Sequence, residues 1–324
     1  MSASAAHFPV STRPANLRPF DARRDLLAVA DLVELCFAPT LDSDGYQYIR
    51  QMRQAARAGR WLPTQPADLD APLMGMVWVE DGVLVGNLSL IPQHLGSRTR
   101  YLIANVAVHP NHRGRGIAAL LTQAALEDVR SRGRAEAWLQ VDQNNETAVN
   151  LYRRLGFVEK MRRTSWRGLP QAAPAANSIR IRKRIDADWG MQNIWLDALY
   201  PADVRWQLPL KTSALRPGWQ ASLQRLFGDP RTVHWSAVHG DRLQAVLSWQ
   251  SSTLEADRLW LAADPHDAQP PLAQLLASAS RQLRRDRKLA LNYPAGLAAE
   301  AMQAAGFSAL RTLIWMRYPW EVSA

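Results

Sequence analysis

HPNHRGRGIAALL, residues 109–121, is the stretch of this sequence that most constrains its fold. The apolar run YLIANVAV at 101–108 favours a strand before it, and the apolar run from Ile117 favours a helix after it. Two arginines and two glycines occupy the junction at 113–116. Backbone N–H groups at a helix start lack partners and carry partial positive charge, so this junction predicts a phosphate or pyrophosphate site.

Other phosphate, nucleophile and metal motifs are missing from the sequence. There is no G-x-x-x-x-G-K-[ST] loop, and Gly114-Arg115-Gly116 lacks the third glycine of a dinucleotide fingerprint. A G-x-S-x-G nucleophile elbow is also absent. His109 and His112 have a ligand-like spacing but no carboxylate or cysteine companion, so we predict no metal site.

Strand and helix patterns alternate on both sides of the junction. An Asp81-Gly82 pair between apolar runs predicts a hairpin. The other predicted elements are the helices DARRDLLAVADLVELCF, GYQYIRQMRQAARAG (closed by Gly59), IAALLTQAALEDVRSRG and NETAVNLYRRLG, and the strands AEAWLQV and VEKMRRTSW. This order predicts an α+β domain over residues 1–168.

The second half of the chain repeats this order of elements. A hairpin with Gly240-Asp241 in its turn is followed by RLWLAADP, which mirrors IANVAVHP of the first half. The pattern predicts that a unit of roughly 150 residues is duplicated. The uncharged stretch at 169–177 is predicted to link it to the second domain, 178–324.

Composition limits the classes of partner. The net charge is +10 and the pI about 10.3, but each half holds +5, so the charge forms no basic tail and does not favour nucleic acid. The single cysteine excludes an intrachain disulfide and fits a reducing cytoplasm. The N-terminal residues lack a signal-peptide pattern and no apolar run reaches spanning length, so neither secretion nor a membrane partner is predicted. Oligomeric state cannot be read from the sequence.

Two motifs resemble the signatures of the GNAT superfamily of acyl-CoA-dependent N-acyltransferases. Arg113-x-x-Gly116-x-Ala118 is similar to the family's R/Q-x-x-G-x-G/A loop. The run from Asn145 to Phe157, 27 residues after Ala118, resembles its second signature. The resemblance implies two tandem GNAT-fold domains, each a mixed, mostly antiparallel twisted sheet flanked by helices.

The resemblance also implies acetyl-CoA as co-substrate, bound between splayed parallel strands at 101–108 and 135–141. It implies that the following residues hold it: Val106, Val108, Arg113, Gly114, Arg115, Gly116, Ile117, Ala118, Asn145 and Tyr152. The Val108 N–H would face the thioester oxygen as an oxyanion donor. Tyr152 would protonate the departing CoA thiolate, because a phenol stays protonated at neutral pH.

The acceptor amine is expected to attack the thioester directly, without an acyl-enzyme. We predict that the only cysteine, Cys36, lies away from both signatures. Related ribosomal-protein acetyltransferases often carry a glutamate where this sequence has Gln140. The general base is Asp142, one alternation further on the same face, a carboxylate from elsewhere, or a chain of waters. Asn105 is another polar residue on the cofactor strand.

The second half has lost the corresponding residues. Pro270 and Pro271 remove amide donors where a cradle needs them, and Met302 stands opposite Tyr152. We therefore expect a degenerate second domain and an active first domain that acetylates a primary amine of a small molecule or peptide. The alternative is a non-catalytic acyl-CoA-binding sensor or scaffold, which Gln140 slightly favours and the retained Tyr152 disfavours.

Overall fold

The computed structural model describes residues 14–41, 43–58, 74–95, 98–133, 135–169, 179–217, 231–267, 269–279 and 287–320. By their internal contacts they divide into two compact units, each of which is described by itself. The first unit comprises Met1–Gln140, Thr147–Val158 and Met316–Ala324. The second unit comprises Val141–Glu146 and Glu159–Trp315.

The first unit contains the strands and helices of the first half of the chain. The strands are β1 (Leu17–Pro19), β2 (Met74–Glu80), β3 (Val83–Leu95), β4 (Arg98–Val108) and β5 (Ala135–Asp142). The helices are α1 (Ala22–Phe37), α2 (Ser43–Arg57), α3 (Ile117–Ser131) and α4 (Glu146–Arg154). The strands follow in the order β1-β2-β3-β4-β5. All neighbouring pairs are antiparallel except β4 and β5, which are parallel.

The predicted hairpin joins β2 to β3. Asp81 has φ 50° and Gly82 has φ 77°, as a two-residue turn of the type favoured between twisted strands requires. The hairpin places Glu80 at the end of β2, next to the turn. From this position Glu80 reaches Arg115 in the loop before α3.

The helices pack on opposite faces of the first sheet. A Cβ on Gly86 of β3 would lie 3.0 Å from Ile117 of α3, so the absence of a side chain lets α3 approach the sheet closely. Val77 of β2 belongs to the other face, where it is buried in a cluster with Leu26 of α1 and Met52 of α2. We call these the α3 face and the α1/α2 face.

The second unit contains most of the remaining elements. Its strands are β6 (Val158–Gly168), β7 (Arg180–Lys183), β8 (Thr232–His239), β9 (Arg242–Gln250), β10 (Ala256–Ala263), β11 (Lys288–Pro294) and β12 (Phe307–Arg317). Its helices are α5 (Trp189–Leu199), α6 (Ala202–Arg205), α7 (Thr212–Leu215), α8 (Leu272–Ala279) and α9 (Ala299–Ala304). The order is β12-β6-β11-β10-β9-β8-β7, and β10 and β11 are its parallel pair.

The strands and helices of the two units confirm the predicted fold class, in which strand pairing is mixed and mostly antiparallel and helices flank the strands. The predicted stop of the second helix at Gly59 and the predicted linker beyond Leu169 lie outside the described residues. The domain limits at 168 and 178 stay a prediction. The compact units divide the chain elsewhere, because β6 pairs with β11 and residues after Trp315 belong to the first unit.

Candidate active site

Strands β4 and β5 are paired over only part of their length. Their parallel register ends where Ile103 lies opposite Leu139. Beyond this point β4 continues to Val108 and β5 to Asp142, and no further pairing between them occurs in the described residues. The splayed pair expected from the sequence is therefore present. It leaves backbone groups at the end of β4 available to a ligand.

A β-bulge interrupts β4 just after the pairing with β5 ends. Ala104 lies opposite Ser89 and Ala107 opposite Asn87, so β4 has one residue more than β3 between these pairs. Asn105 takes up the extra length with φ 50°. Asparagine tolerates this left-handed conformation better than most side chains. The bulge therefore marks the start of the unpaired end of β4, and Val106 follows it directly.

The backbone of Val108 is turned towards the gap between β4 and β5. The His109 N–H donates to the carbonyl of Val85 in β3 at 2.8 Å. Adjacent residues in an antiparallel strand direct their polar groups to opposite edges. The Val108 N–H therefore points away from β3, which is the direction that an oxyanion donor for a ligand in the gap needs.

Two side chains donate to the Val108 carbonyl. Arg113 Nε lies 3.1 Å from this oxygen and Cys36 Sγ lies 3.4 Å from it. The prediction that Cys36 lies away from the signatures is therefore wrong. Helix α1 packs against the sheet and brings its thiol to the end of the cofactor strand, a contact 72 residues apart in sequence.

The loop between β4 and α3 has the backbone geometry that the predicted cradle requires. Gly114 has φ 77° and Gly116 has φ 78°, and a Cβ on either would meet no atom within 4 Å. Within the described part of the chain, the amides from Gly114 to Ala118 have no hydrogen-bond acceptor. They lie at the start of the 15-residue helix α3, where a bound anion is stabilised.

The Arg115 guanidinium is paired with a carboxylate of the protein. Its two terminal nitrogens donate to the two carboxylate oxygens of Glu80 at 2.8 and 2.9 Å. Trp78 Nε1 donates to the same carboxylate at 2.8 Å, and His112 Nδ1 lies 3.0 Å from it. The Arg115 guanidinium, followed by the Trp78 indole, holds the pKa of Glu80 well below its usual range, at about 2. No local pattern indicates this cluster, because Glu80 and Arg115 lie 35 residues apart in the sequence.

The Glu80 carboxylate predicts a defined pH dependence of stability. Its pKa is lowered from 4.5 to about 2, so the stabilisation is complete above pH 4.5 and is lost as the pH falls towards 2. We expect the difference in unfolding free energy between wild type and Glu80→Gln to shrink over this window. Urea unfolding at pH 6, 5, 4 and 3 measures this difference. Glu127→Gln, at an exposed position of α3, is the control. A difference that stays constant from pH 6 to pH 3 contradicts the pairing.

Tyr152 is buried on α4. Its ring meets Phe157 edge-on with centroids 5.9 Å apart, and burial raises the pKa of its phenol. A raised pKa keeps the hydroxyl protonated at neutral pH, as a proton donor requires. Among the described residues the Tyr152 hydroxyl has no hydrogen-bond partner, and its oxygen is not fully enclosed by the protein. It is therefore available to a ligand.

The second signature is supported by residues from the C-terminal end of the chain. The Tyr318 ring packs on Phe157 at 5.3 Å, and its N–H donates to the Ala137 carbonyl at 2.9 Å. Trp320 continues the row of rings at 4.7 Å from Tyr318. Sequence reasoning missed this support, because no local pattern links the C-terminus to a helix more than 150 residues away.

Segment 141–146 carries the remaining predicted site residues, and the compact units group it with the second unit. Asp142 Oδ1 accepts from the Asn144 N–H at 2.9 Å, and the Asp142 carbonyl accepts from the Asn145 N–H at 3.0 Å. These bonds form the turn before α4, so Asp142 has a structural task. Its role as general base and the cofactor contact of Asn145 stay predictions.

The second unit has the same divergent strands but no open gap. The parallel register of β10 and β11 ends where Leu259 lies opposite Leu291. Beyond it, the fully buried Tyr200 donates to the Leu261 carbonyl at 3.4 Å and packs edge-on against Tyr293 of β11. This side chain contacts both strands beyond their last pair, which supports the expectation that the second unit binds no cofactor.

The second unit also lacks a cradle in its described residues. Pro270 and Pro271 directly precede α8, and neither has an N–H to offer an anion. Met302, which stands opposite Tyr152 in the repeat, is fully buried in the core. Among the residues that the structure describes, no group of three or more His, Cys, Asp or Glu side chains could hold a metal ion. None of the described helices is long and apolar enough to cross a membrane.

Comparison with known families identifies the first half of the chain. Residues 31–157 match the model of the Acetyltransferase (GNAT) family, which is 127 of the 324 residues. This match includes β2 to β5, the cradle and Tyr152. The identification of this region as a GNAT domain is confirmed.

Curated relatives match shorter stretches. N-alpha-acetyltransferase 30 of Schizosaccharomyces pombe is 42% identical over 69 residues, 21% of this chain and 46% of that protein. Streptothricin acetyltransferase of Streptomyces lavendulae is 41% identical over 59 residues, 18% of this chain and 31% of that protein. The ribosomal protein bS18-alanine N-acetyltransferase of Salmonella typhimurium is 36% identical over 55 residues, 17% of this chain and 37% of that protein. The chain thus spans less than half the length of these relatives.

Solved structures extend the likeness of fold to nearly the whole chain. A GCN5-related N-acetyltransferase from Sphaerobacter thermophilus has a TM-score of 0.56 at 15% identity and covers 94% of this chain and 96% of its own. A glucosamine N-acetyltransferase region of a fungal multi-domain β-N-acetylglucosaminidase has a TM-score of 0.57 at 12% identity, over 95% of this chain and 38% of its own. At these identities the likeness shows the fold alone.

Proposed function

Because residues 31–157 belong to the GNAT family of acetyltransferases, we propose that this protein transfers the acetyl group of acetyl-CoA to a primary amine. The observation that carries the proposal is the end of β4. This strand leaves β5 after Ile103, passes Val108 with its N–H directed into the gap, and enters a loop of unpartnered amides. A thioester arm and a pyrophosphate need these two features in this order.

The residues present fit acetyl-CoA, which the family uses. The amides from Gly114 to Ala118 would hold the pyrophosphate, and the exposed Arg113 would add positive charge beside it. Arg115 would act mainly through the shape of the loop, because Glu80 occupies its guanidinium. Val106 and Val108 would pair with the pantetheine arm through their backbone groups. Asn145 is proposed as a further contact.

The transfer proceeds in one ternary complex. The amine nitrogen attacks the thioester carbonyl carbon, and the Val108 N–H stabilises the negative charge that develops on its oxygen. The C–N bond forms, the C–S bond breaks, and the amine gives up one proton to solvent. Tyr152 donates its proton to the leaving thiolate and regains one from solvent. Asp142, a carboxylate from elsewhere and a chain of waters are all retained as candidates for the step that removes the amine proton.

The acceptor class stays broad in this proposal. The relatives' names include an alanine of ribosomal protein bS18 and streptothricin. A small-molecule amine and a peptide or protein amine are therefore both proposed. The test uses one probe of each kind: a tetrapeptide with a free N-terminal alanine, an N-acetyl-lysine amide with only its ε-amine, and glucosamine.

The proposal is tested by calorimetry and by release of CoA thiol. Titration with acetyl-CoA should show one site per chain, because the second unit has no cradle in its described residues and its gap is filled. At least one amine of the panel should then stimulate CoA release well above hydrolysis. Binding without stimulation by any amine favours an acyl-CoA sensor or scaffold, and no binding refutes the proposal.

Tyr152→Phe tests the proton donor. We expect kcat to fall about 30-fold, below the upper range for general acids, because a thiolate leaves readily without full protonation. The dissociation constant for acetyl-CoA should stay within threefold, because the ring and its packing on Phe157 remain. Stopped-flow CoA release and calorimetry on the same preparation measure both. An unchanged kcat removes Tyr152 from the mechanism.

A further inference from the structure

A cluster of neutral polar side chains lies at the β4 bulge on the α1/α2 face. We call Tyr48, Asn87, Ser89 and Asn105 the bulge cluster. Asn87 and Ser89 on β3 are 1% and 2% exposed, so their polar atoms depend on partners inside the protein. Asn87 Nδ2 donates to the Asn105 carbonyl at 3.0 Å and to Ser89 Oγ at 3.3 Å. The cluster thus fixes the backbone of the bulge from β3.

The side chain of Asn105 is fixed as well. Its Nδ2 donates to Tyr48 Oη on α2 and to Ser89 Oγ, each at 3.3 Å. An amide nitrogen has two protons, and both are used. The Asn105 Oδ1 atom therefore faces away from these partners. In the described part of the chain no donor approaches it, although it has two lone pairs to offer.

The spacing along β4 lets Asn105 and Val108 lie on either side of a reacting centre. Asn105 precedes Val108 by three residues, which is about 10 Å of strand, somewhat less across a bulge. One hydrogen bond of about 3 Å would join Asn105 to the amine, and another would join Val108 to the thioester oxygen. They leave room for a near-attack distance of about 3–3.5 Å between the amine nitrogen and the thioester carbon. The amine and the thioester can therefore fit between Asn105 Oδ1 and the Val108 N–H.

The side chain of Asn105 lies on the face of the sheet opposite the cofactor loop, from which an acceptor can approach. The cradle leads into α3 and so lies towards the α3 face, whereas the Asn105 side chain contacts α2 on the other face. An acceptor that enters from the α1/α2 face reaches the gap without crossing the cofactor loop. The pKa of Tyr48 is raised by burial to about 12, so this neighbour stays a neutral hydroxyl.

We propose that Asn105 Oδ1 binds the acceptor amine by accepting one of its N–H protons, and that Tyr48 and Ser89 orient the amide for this task. The proposal rests on the acetyltransferase function proposed above. A neutral amide oxygen does not remove a proton, so Asn105 aims the nitrogen lone pair at the thioester carbon and leaves deprotonation to another group. Asn105 is then a substrate-binding residue, and Tyr48 is a positioning residue.

Asn105→Gly separates the side chain from the backbone. Glycine adopts a positive φ without strain, so the bulge can persist while the amide is lost. We expect kcat/KM for the most active panel amine to fall about 30-fold, mainly through a higher KM for the amine. The dissociation constant for acetyl-CoA should stay within threefold. A parallel loss of acetyl-CoA affinity would mean that Asn105 only shapes the cofactor strand.

Tyr48→Phe provides the second variant, in case the glycine variant does not fold. It keeps the ring and removes one of the two anchors of the amide, so KM for the amine should rise 3- to 10-fold at unchanged acetyl-CoA affinity. Tyr46→Phe on the same helix is the control, because that exposed hydroxyl contacts only the Ala38 carbonyl among the described residues. Its kinetics should match wild type.

The outcomes separate this inference from the function on which it rests. Wild-type turnover that both Asn105→Gly and Tyr48→Phe retain within threefold overturns the inference and leaves the acetyltransferase intact. Wild-type protein that binds acetyl-CoA but releases no CoA thiol with any panel amine overturns the function, and the inference with it.

Discussion

Gly116→Glu will weaken acetyl-CoA binding at least 100-fold. Gly116 directly precedes α3 as its N-cap residue with φ 78°, and its Cβ position is open, so the new side chain causes no clash in the free protein. A carboxylate there places negative charge among amides that would hold a pyrophosphate. A hydrogen bond to a charged group contributes about 1.5–3 kcal/mol, and 1.4 kcal/mol is a factor of ten. Losing one or two such bonds accounts for the expected effect.

The C-terminal end of the same helix offers a matched control. Gly133 has φ 63° and an open Cβ position, so Gly133→Glu imposes a similar strain of about 1–2 kcal/mol and the same change in charge. We expect Gly133→Glu to lose at least as much stability as Gly116→Glu, because a carboxylate is favoured at the start of a helix and disfavoured at its end. Calorimetric titration should show that only Gly116→Glu loses acetyl-CoA binding. Equal affinities in the two variants would place the pyrophosphate elsewhere.

Local sequence patterns were sufficient to predict the cradle and the elements around it. Glycines with positive φ, a strand before them and an apolar helix after them are properties of neighbouring residues, and 109–121 shows all of them. The Asp81-Gly82 turn was predictable for the same reason. The parallel pairing of β4 with β5 was implied by the family resemblance, and the helix between the two strands supplies the crossover connection that such a pair needs.

Contacts between distant residues were not predictable in this way. Periodicity assigned Cys36 to a helix but could not say that this helix packs over the end of β4. The charge of Arg115 was visible, whereas its partner Glu80 lies in a different hairpin. Asn105 was noted only as a polar residue, because the bulge that gives it its direction depends on the register of β3 against β4.

The division of the chain depends on strand pairing as well. Strand β6 follows the second signature and was assigned to the first domain, yet residues 159–168 belong to the second unit and residues 163–168 pair with β11. Residues 316–320 end the second repeat, yet they belong to the first unit. A repeat in sequence shows which elements are copies. It does not show that β6, the last strand of the first repeat, pairs within the second unit, or that the end of β12 belongs to the first unit.

A fragment of residues 1–168 will therefore fail to form a stable cofactor-binding domain. It lacks Tyr318, which packs on Phe157 beside Tyr152 and donates to Ala137. It also exposes β6, where Arg163 is 2% and Trp166 is 5% exposed in the full chain. Exposing one large apolar side chain costs about 1.5–3 kcal/mol, and several such losses approach the 5–15 kcal/mol that holds a domain folded. We expect no cooperative thermal transition and no calorimetric signal with acetyl-CoA.

Co-expression with residues 178–324 as a separate chain is the control for this fragment. The second chain supplies both Tyr318 for the first unit and β11 for the strand that ends the fragment. We expect the two chains to co-purify, unfold in one transition and bind acetyl-CoA with one site per pair. If residues 1–168 alone bind acetyl-CoA as tightly as the full chain, the C-terminal segment is dispensable. The limits predicted from the sequence would then describe the functional domain better than the compact units do.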